Sequence, residues 1–137
     1  MKYPIVTAAL LAAAVASPAS AEMVKMSASL KSASEVPGNA SPGTGKIDAT
    51  YDTSTKMLTW EGSYSGLTGP ATMAHFHGPA DPGKNAPVLI PSPAASPIKG
   101  SATLTDAQAA DVMAGKTYFN IHTAANPGGE IRGQVTK

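Results

Sequence analysis

Residues 45–64, GKIDATYDTSTKMLTWEGSY, decide the fold class. Apolar and polar side chains alternate on both sides of the polar stretch 52–56. Alternation with a period of two is typical of a β-strand with one buried face. A polar turn between two such runs predicts a β-hairpin, with strands over 45–52 and 57–64.

The pattern of this hairpin continues on both sides of it. Clusters of Gly, Pro, Asn and Asp interrupt the chain about every eight to twelve residues, which is typical of an all-β sandwich or barrel. Further strands are predicted over 24–31, 72–77, 86–90, 98–104, 117–123 and 130–135.

Two segments depart from the strand pattern. Thr105 and Gln108 have the spacing of a capping box, and Gly115 is a C-terminal glycine, which predicts one short helix over 106–114. The segment 79–97 contains six prolines. It is therefore predicted to be irregular, with at most one short edge strand.

The N-terminus resembles a signal peptide. Lys2 precedes an apolar run over 5–16, and Ala19-Ser20-Ala21 is the small-x-small pattern at which signal peptidase cleaves. That run is too short to cross a hydrocarbon layer of about 30 Å. We therefore expect a signal peptide over 1–21 and a mature single domain over 22–137, periplasmic or secreted and without a membrane span.

Charge and cysteine content exclude several functions. The chain has ten basic and nine acidic residues, and removal of Lys2 leaves a neutral domain. Such a balance predicts no nucleic-acid partner. The absence of cysteine excludes disulfides, thiolate metal sites and cysteine nucleophiles.

The three histidines are the strongest functional signal. His75 and His77 are two residues apart, so on a strand they share one face with Cα atoms roughly 6.6 Å apart. His122 lies in a second predicted strand. If the strands are neighbours, the three imidazoles can bind one ion, and nitrogen ligands without thiolate suit Cu(II) or Zn(II), with copper favoured by the affinity order. Alternatively, these are solvated surface histidines.

The other candidate groups give weaker signals. Arg132, the only arginine, is interpreted either as the partner of a carboxylate or as an anion-steering group beside a metal. No Gly-x-Ser-x-Gly elbow supports a serine hydrolase. Scattered carboxylates are interpreted as solubilising charges; they are Asp48, Asp52, Glu61, Asp81, Asp106, Asp111 and Glu130.

Motifs along nearly all of the mature chain resemble the CHRD domain, named after chordin. They are Glu35-Val36-Pro37, Gly66-Leu67-Thr68-Gly69, His75-Phe76-His77-Gly78, Leu104-Thr105, 115–123 and 126–134. This resemblance implies an exported domain with an immunoglobulin-like or superoxide-dismutase-like Greek-key β-sandwich. It does not by itself imply an activity.

A weaker likeness is to copper/zinc superoxide dismutase. The order His-x-His, a late histidine and a C-terminal arginine is similar, which implies His75, His77 and His122 as copper ligands and Arg132 as the group that guides superoxide. The chain has no fourth histidine to bridge copper and zinc, so a zinc subsite is not expected.

These observations lead to two hypotheses. The first is an exported copper-binding protein with a three-histidine mononuclear site, in copper handling or dismutase-like redox chemistry, whose partners are a metal ion and superoxide or another small anion. In this hypothesis Met73 is a further soft ligand or a packing residue. The second is a metal-free binding or structural module. Convergence of the three imidazole nitrogens to within about 4 Å would favour metal.

Overall fold

The computed structural model describes residues 11–15 and 20–137, and its regular secondary structure is mostly β-strand. The strands are β1 (Met23–Lys31), β2 (Thr44–Asp52), β3 (Met57–Ser65), β4 (Ala71–His77), β5 (Val88–Ser92), β6 (Ile98–Thr103), β7 (Tyr118–Thr123) and β8 (Ile131–Gln134). A short 3-10 helix, Ser32–Ser34, was not predicted, and one α-helix, α1, spans Asp106–Met113.

The strands form one antiparallel sheet in the order β5-β4-β7-β8-β1-β2-β3-β6. Its two four-stranded halves meet at β8 and β1, where Lys31 pairs with Arg132. The chain crosses from one half to the other between β3 and β4, between β5 and β6 and between β6 and β7, so β3 pairs with β6 and β4 pairs with β7. The all-β class with one short helix is therefore confirmed.

The two halves fold over one hydrophobic core. Trp60 of β3 packs edge-to-face on Phe76 of β4 with ring centroids 4.9 Å apart. Its Nε1 donates a hydrogen bond to Ser92 Oγ of β5 at 2.8 Å. These contacts join strands that are far apart in the sheet order, so the ends of the sheet approach each other as in a sandwich or nearly closed barrel.

Local signals explain most elements. Every second residue of β1 is buried, and β2 and β3 pair from Thr44 opposite Ser65 to Asp52 opposite Met57, which confirms the hairpin. The Thr105 capping box of α1 is present in full. Within 79–97, β5 is an edge strand that contains Pro91, as proline requires.

The half-sheet that carries the histidines is covered on both faces. All six residues of β7 are buried: Phe119 and Ile121 face the core, whereas Tyr118, Asn120 and His122 lie on the outer face. The segment 78–87 covers this outer face. A polar surface enclosed by loops is therefore built outside the hydrophobic core.

Most of the predicted signal peptide lies outside the described residues. Within 11–15 and 20–137, no helix is long and apolar enough to cross a membrane.

Candidate metal centre

The pairing of β4 with β7 brings the three histidines together. Met73 lies opposite His122, and His75 lies opposite Asn120. His75 Nδ1 is 3.1 Å from His122 Nε2, and one ring nitrogen from each histidine lies within 4.8 Å of the others. The spread slightly exceeds the expected 4 Å, but the predicted convergence on one side of the sheet is present and the group can hold a metal ion.

Backbone carbonyls fix the orientation of two imidazoles. His77 Nδ1 lies 3.0 Å from the Ala86 carbonyl oxygen, and His122 Nδ1 lies 2.8 Å from that of Pro127. A carbonyl only accepts, so both Nδ1 atoms carry the proton. In the neutral imidazoles the two Nε2 atoms are then lone pairs, the form in which imidazole binds metals.

The site also favours neutral imidazoles. His77 and His122 are buried, and His75 is partly exposed. Burial lowers the pKa of His75, and the charges of the other two histidines lower it further. Burial likewise lowers the pKa of His77 despite its hydrogen bonds to Ala86 and Asn120. Metal binding therefore needs little proton release from these two groups.

Asn120 is a site residue that the sequence analysis did not single out. Its Oδ1 is 2.9 Å from His77 Nε2 and 2.9 Å from His122 Nε2, at the centre of the group. The signal that would have found it is its spacing of two from His122, which puts both side chains on one face of β7.

Behind Asn120 lies a buried carboxyl group, Glu35. Burial raises its pKa to about 7, while Asn120 and the charge of Arg132 act in the opposite direction. The Asn120 amide faces this carboxyl group, although Glu35 Oε1 makes no hydrogen bond of ordinary geometry. Two small cavities, each of about 200 Å³, border Glu35.

Arg132 is enclosed instead of facing a substrate path. It is 2% exposed, and its guanidinium donates to Asn85 Oδ1 at 3.0 Å and to the Lys84 carbonyl. Its Cζ lies 3.4 Å from the centre of the Tyr118 ring, which stacks on His77. The expected carboxylate pair is wrong, since among the described residues Arg132 forms no ion pair. Guidance of an anion by Arg132 stays a prediction and requires the segment at Lys84 and Asn85 to open.

Glu130 is not a solubilising charge, which corrects the interpretation drawn from its scattered position. It is completely buried and accepts hydrogen bonds from Ser41 Oγ, Thr123 Oγ1 and Asn126 Nδ2 and from both the backbone and the hydroxyl of Thr68. Burial raises its pKa, but these donors outweigh burial and lower the pKa to about 2. The buried group is thus a carboxylate anion that ties three loops together.

Comparison with known proteins assigns the family. No curated protein and no solved structure matches the chain. The family model of the CHRD domain matches residues 26–135, which span all eight strands apart from the first residues of β1. The chain therefore belongs to the CHRD-domain family.

Proposed function

We propose that this protein is an exported copper-binding CHRD-domain protein whose mononuclear site consists of His75, His77 and His122. One observation carries the proposal: three imidazoles converge, and two of them have Nε2 freed by a carbonyl bond at Nδ1. A nitrogen-rich site without thiolate suits copper, which binds more tightly than zinc in such surroundings.

Export is supported by the N-terminal pattern and by where the domain begins. Leu11 and Val15 are 94% and 90% exposed, so neither packs on the domain, and the first strand starts at Met23. An apolar run of this composition, exposed at Leu11 and Val15, is typical of a removable signal. We therefore propose a periplasmic or secreted mature protein.

The residues around the site define what bound copper could do. When bound, copper supplies one-electron redox chemistry of the dismutase kind or is itself the cargo of a copper-handling protein. The carbonyls of Ala86 and Pro127 orient two of the imidazoles. Met73 is 49% exposed beside His122 and is available as a soft contact for Cu(I).

The second candidate function is a metal-free binding or structural module. It is favoured by the hydrogen bonds of the histidines, since His77 and His122 contact carbonyls and His75 contacts His122. In this case the three imidazoles hold strands and loops together, and their substitution lowers stability without changing any metal affinity.

Copper titration distinguishes the copper-binding protein from the metal-free module. Residues 22–137 are titrated in the presence of a competing chelator, and the complex is then measured by electron paramagnetic resonance. The variants are His75→Ala, His77→Ala and His122→Ala, and the control is Thr72→Ala, an exposed residue on the same strand. We expect one Cu(II) per chain with nitrogen hyperfine structure. Each histidine variant should weaken binding by at least about 100-fold, whereas the control binds normally. Weak binding that no substitution changes would overturn the copper site and favour the module.

A further inference from the structure

Three hydrogen-bond acceptors meet at the centre of the histidine group without a hydrogen between them. His77 and His122 each carry a proton on Nδ1, so in the neutral imidazoles both Nε2 atoms are lone pairs. Each lies 2.9 Å from Asn120 Oδ1, which is also an acceptor. Contacts of this kind are unfavourable unless something positive lies between the atoms.

Rotation of the Asn120 amide by half a turn would remove the conflict only by creating another. The NH2 group of Asn120 faces the buried Glu35 carboxyl group, and both lie beside Gly129. After rotation, Oδ1 would face the ionised form of that carboxyl group with no donor between the two, and Glu35 Oε1 already lacks a hydrogen bond. The surroundings thus hold the amide with its oxygen toward the histidines.

A cation bound between these three atoms would supply the missing positive charge. The two separations from the Asn120 oxygen agree with it, because two ligands at about 2.05 Å from one ion are about 2.9 Å apart at a right angle and about 3.3 Å apart in a tetrahedron. The Asn120 oxygen lies 2.9 Å from both Nε2 atoms.

We propose that Asn120 Oδ1 is a fourth ligand of the metal ion and that Glu35 is the positioning residue that keeps this oxygen, and not the NH2 group, turned toward it. This inference rests on the proposed three-histidine site and completes it as three nitrogens and one amide oxygen. Such a mixed set is harder than three imidazoles alone and suits Cu(II) better than Cu(I).

The test compares Asn120→Ala, Asn120→Asp and Glu35→Gln with the wild type, with Glu61→Gln as a matched control at an exposed carboxylate. Thermal unfolding of the metal-free proteins first establishes that each is folded. The readouts are the Cu(II) dissociation constant and the g and copper hyperfine values of the spectrum. The number of coupled nitrogens is measured as well.

Asn120→Ala should keep three coupled nitrogens, shift the g and hyperfine values and weaken Cu(II) about 10- to 100-fold. Asn120→Asp keeps an oxygen at the same place and should bind more tightly than Asn120→Ala. Glu35→Gln should weaken binding and give a mixture of two spectra, because either end of the Asn120 amide can then face the ion. Glu61→Gln should match the wild type.

Failure of this inference is distinguishable from failure of the proposed function. Wild-type protein that binds Cu(II) through three nitrogens, with an Asn120→Ala spectrum and affinity unchanged, overturns the fourth ligand and leaves the histidine site intact. A single unchanged spectrum for Glu35→Gln overturns the positioning role. Wild-type protein that does not bind Cu(II) removes the histidine site and this inference with it.

Discussion

Replacement of Glu130 by glutamine should remove an acid-sensitive part of the stability of the domain. Glu130 is fully buried and ionised, and its pKa falls from 4.5 to about 2 on folding because five hydrogen bonds outweigh burial. A lowered folded pKa contributes stability that is present above the unfolded pKa and lost as the pH falls through the folded pKa. The window is therefore about pH 5 to pH 2.

The size of the effect follows from the two pKa values. The folded and unfolded pKa values of Glu130 differ by about 2.5. Ionisation of Glu130 therefore contributes about 3 kcal/mol to the free energy of unfolding at pH 5, about 1.4 kcal/mol at pH 3 and about 0.4 kcal/mol at pH 2. Glu130→Gln keeps the shape but turns an NH2 group toward donors. The gap in unfolding free energy between wild type and variant should thus shrink by about 3 kcal/mol from pH 5 to pH 2.

Urea unfolding of metal-free protein, followed by the fluorescence of Trp60, measures this gap. Trp60 is the only tryptophan and is buried, so its emission reports on the core. Asp52 and Asp106 also have lowered pKa values from hydrogen bonds to Ser54 and Lys56, but both carboxylates are common to the two proteins and cancel from the gap. A gap that stays constant from pH 5 to pH 2 would refute the buried anion.

Further substitutions test the core, the helix cap and the packing behind the site. Phe76→Ala should cost about 3–5 kcal/mol in urea unfolding, because Phe76 lies edge-to-face on both Trp60 and Phe119, and a cost under about 1 kcal/mol would contradict this. Thr105→Ala removes the capping box of α1 and should cost about 1 kcal/mol, with no loss if the helix end is frayed. Gly129→Ala should lower both the melting temperature and Cu(II) affinity, since a Cβ would lie 2.4 Å from Glu35 Oε1 and 2.6 Å from Asn120 Nδ2. Gly128→Ala, with open space around it, is the control, and equal effects of the two would contradict the argument.

The alternation in the sequence was sufficient for most of the fold. The β2-β3 hairpin, the helix at Thr105 and the short edge strand β5 follow from signals within about ten residues, and they appear within about two residues of the expected bounds. The convergence of His75 and His77 with His122 needed one further step, the pairing of β4 with β7. The CHRD motifs predicted the family, which the family model confirms.

The polar groups around the site could not be predicted in the same way, since their surroundings come from distant parts of the chain. Glu130 is bound by Ser41 and Thr68, which are 89 and 62 residues away. Arg132 contacts Lys84 and Asn85 from a loop that alternation does not describe. The local sequence alone places a charged side chain at the surface. Whether that side chain is buried depends on the distant loops that enclose it and provide its hydrogen bonds.

The two buried charges anchor the two loops that orient the imidazoles. Arg132, a cation, holds Lys84 and Asn85, and the next residue, Ala86, accepts from His77 Nδ1. Glu130, an anion, holds Thr123 and Asn126, and the residue after Asn126, Pro127, accepts from His122 Nδ1.

In each case a buried ion fixes a loop, the loop presents a carbonyl, and the carbonyl sets the tautomer of one histidine. Neither ion touches the place where the three nitrogens meet, but both hold the loops whose carbonyls accept from the Nδ1 atoms of His77 and His122. Arg132 was predicted to pair with a carboxylate or to steer an anion, and Glu130 was interpreted as a solubilising charge. In the structure, both residues support the loops of the candidate metal centre.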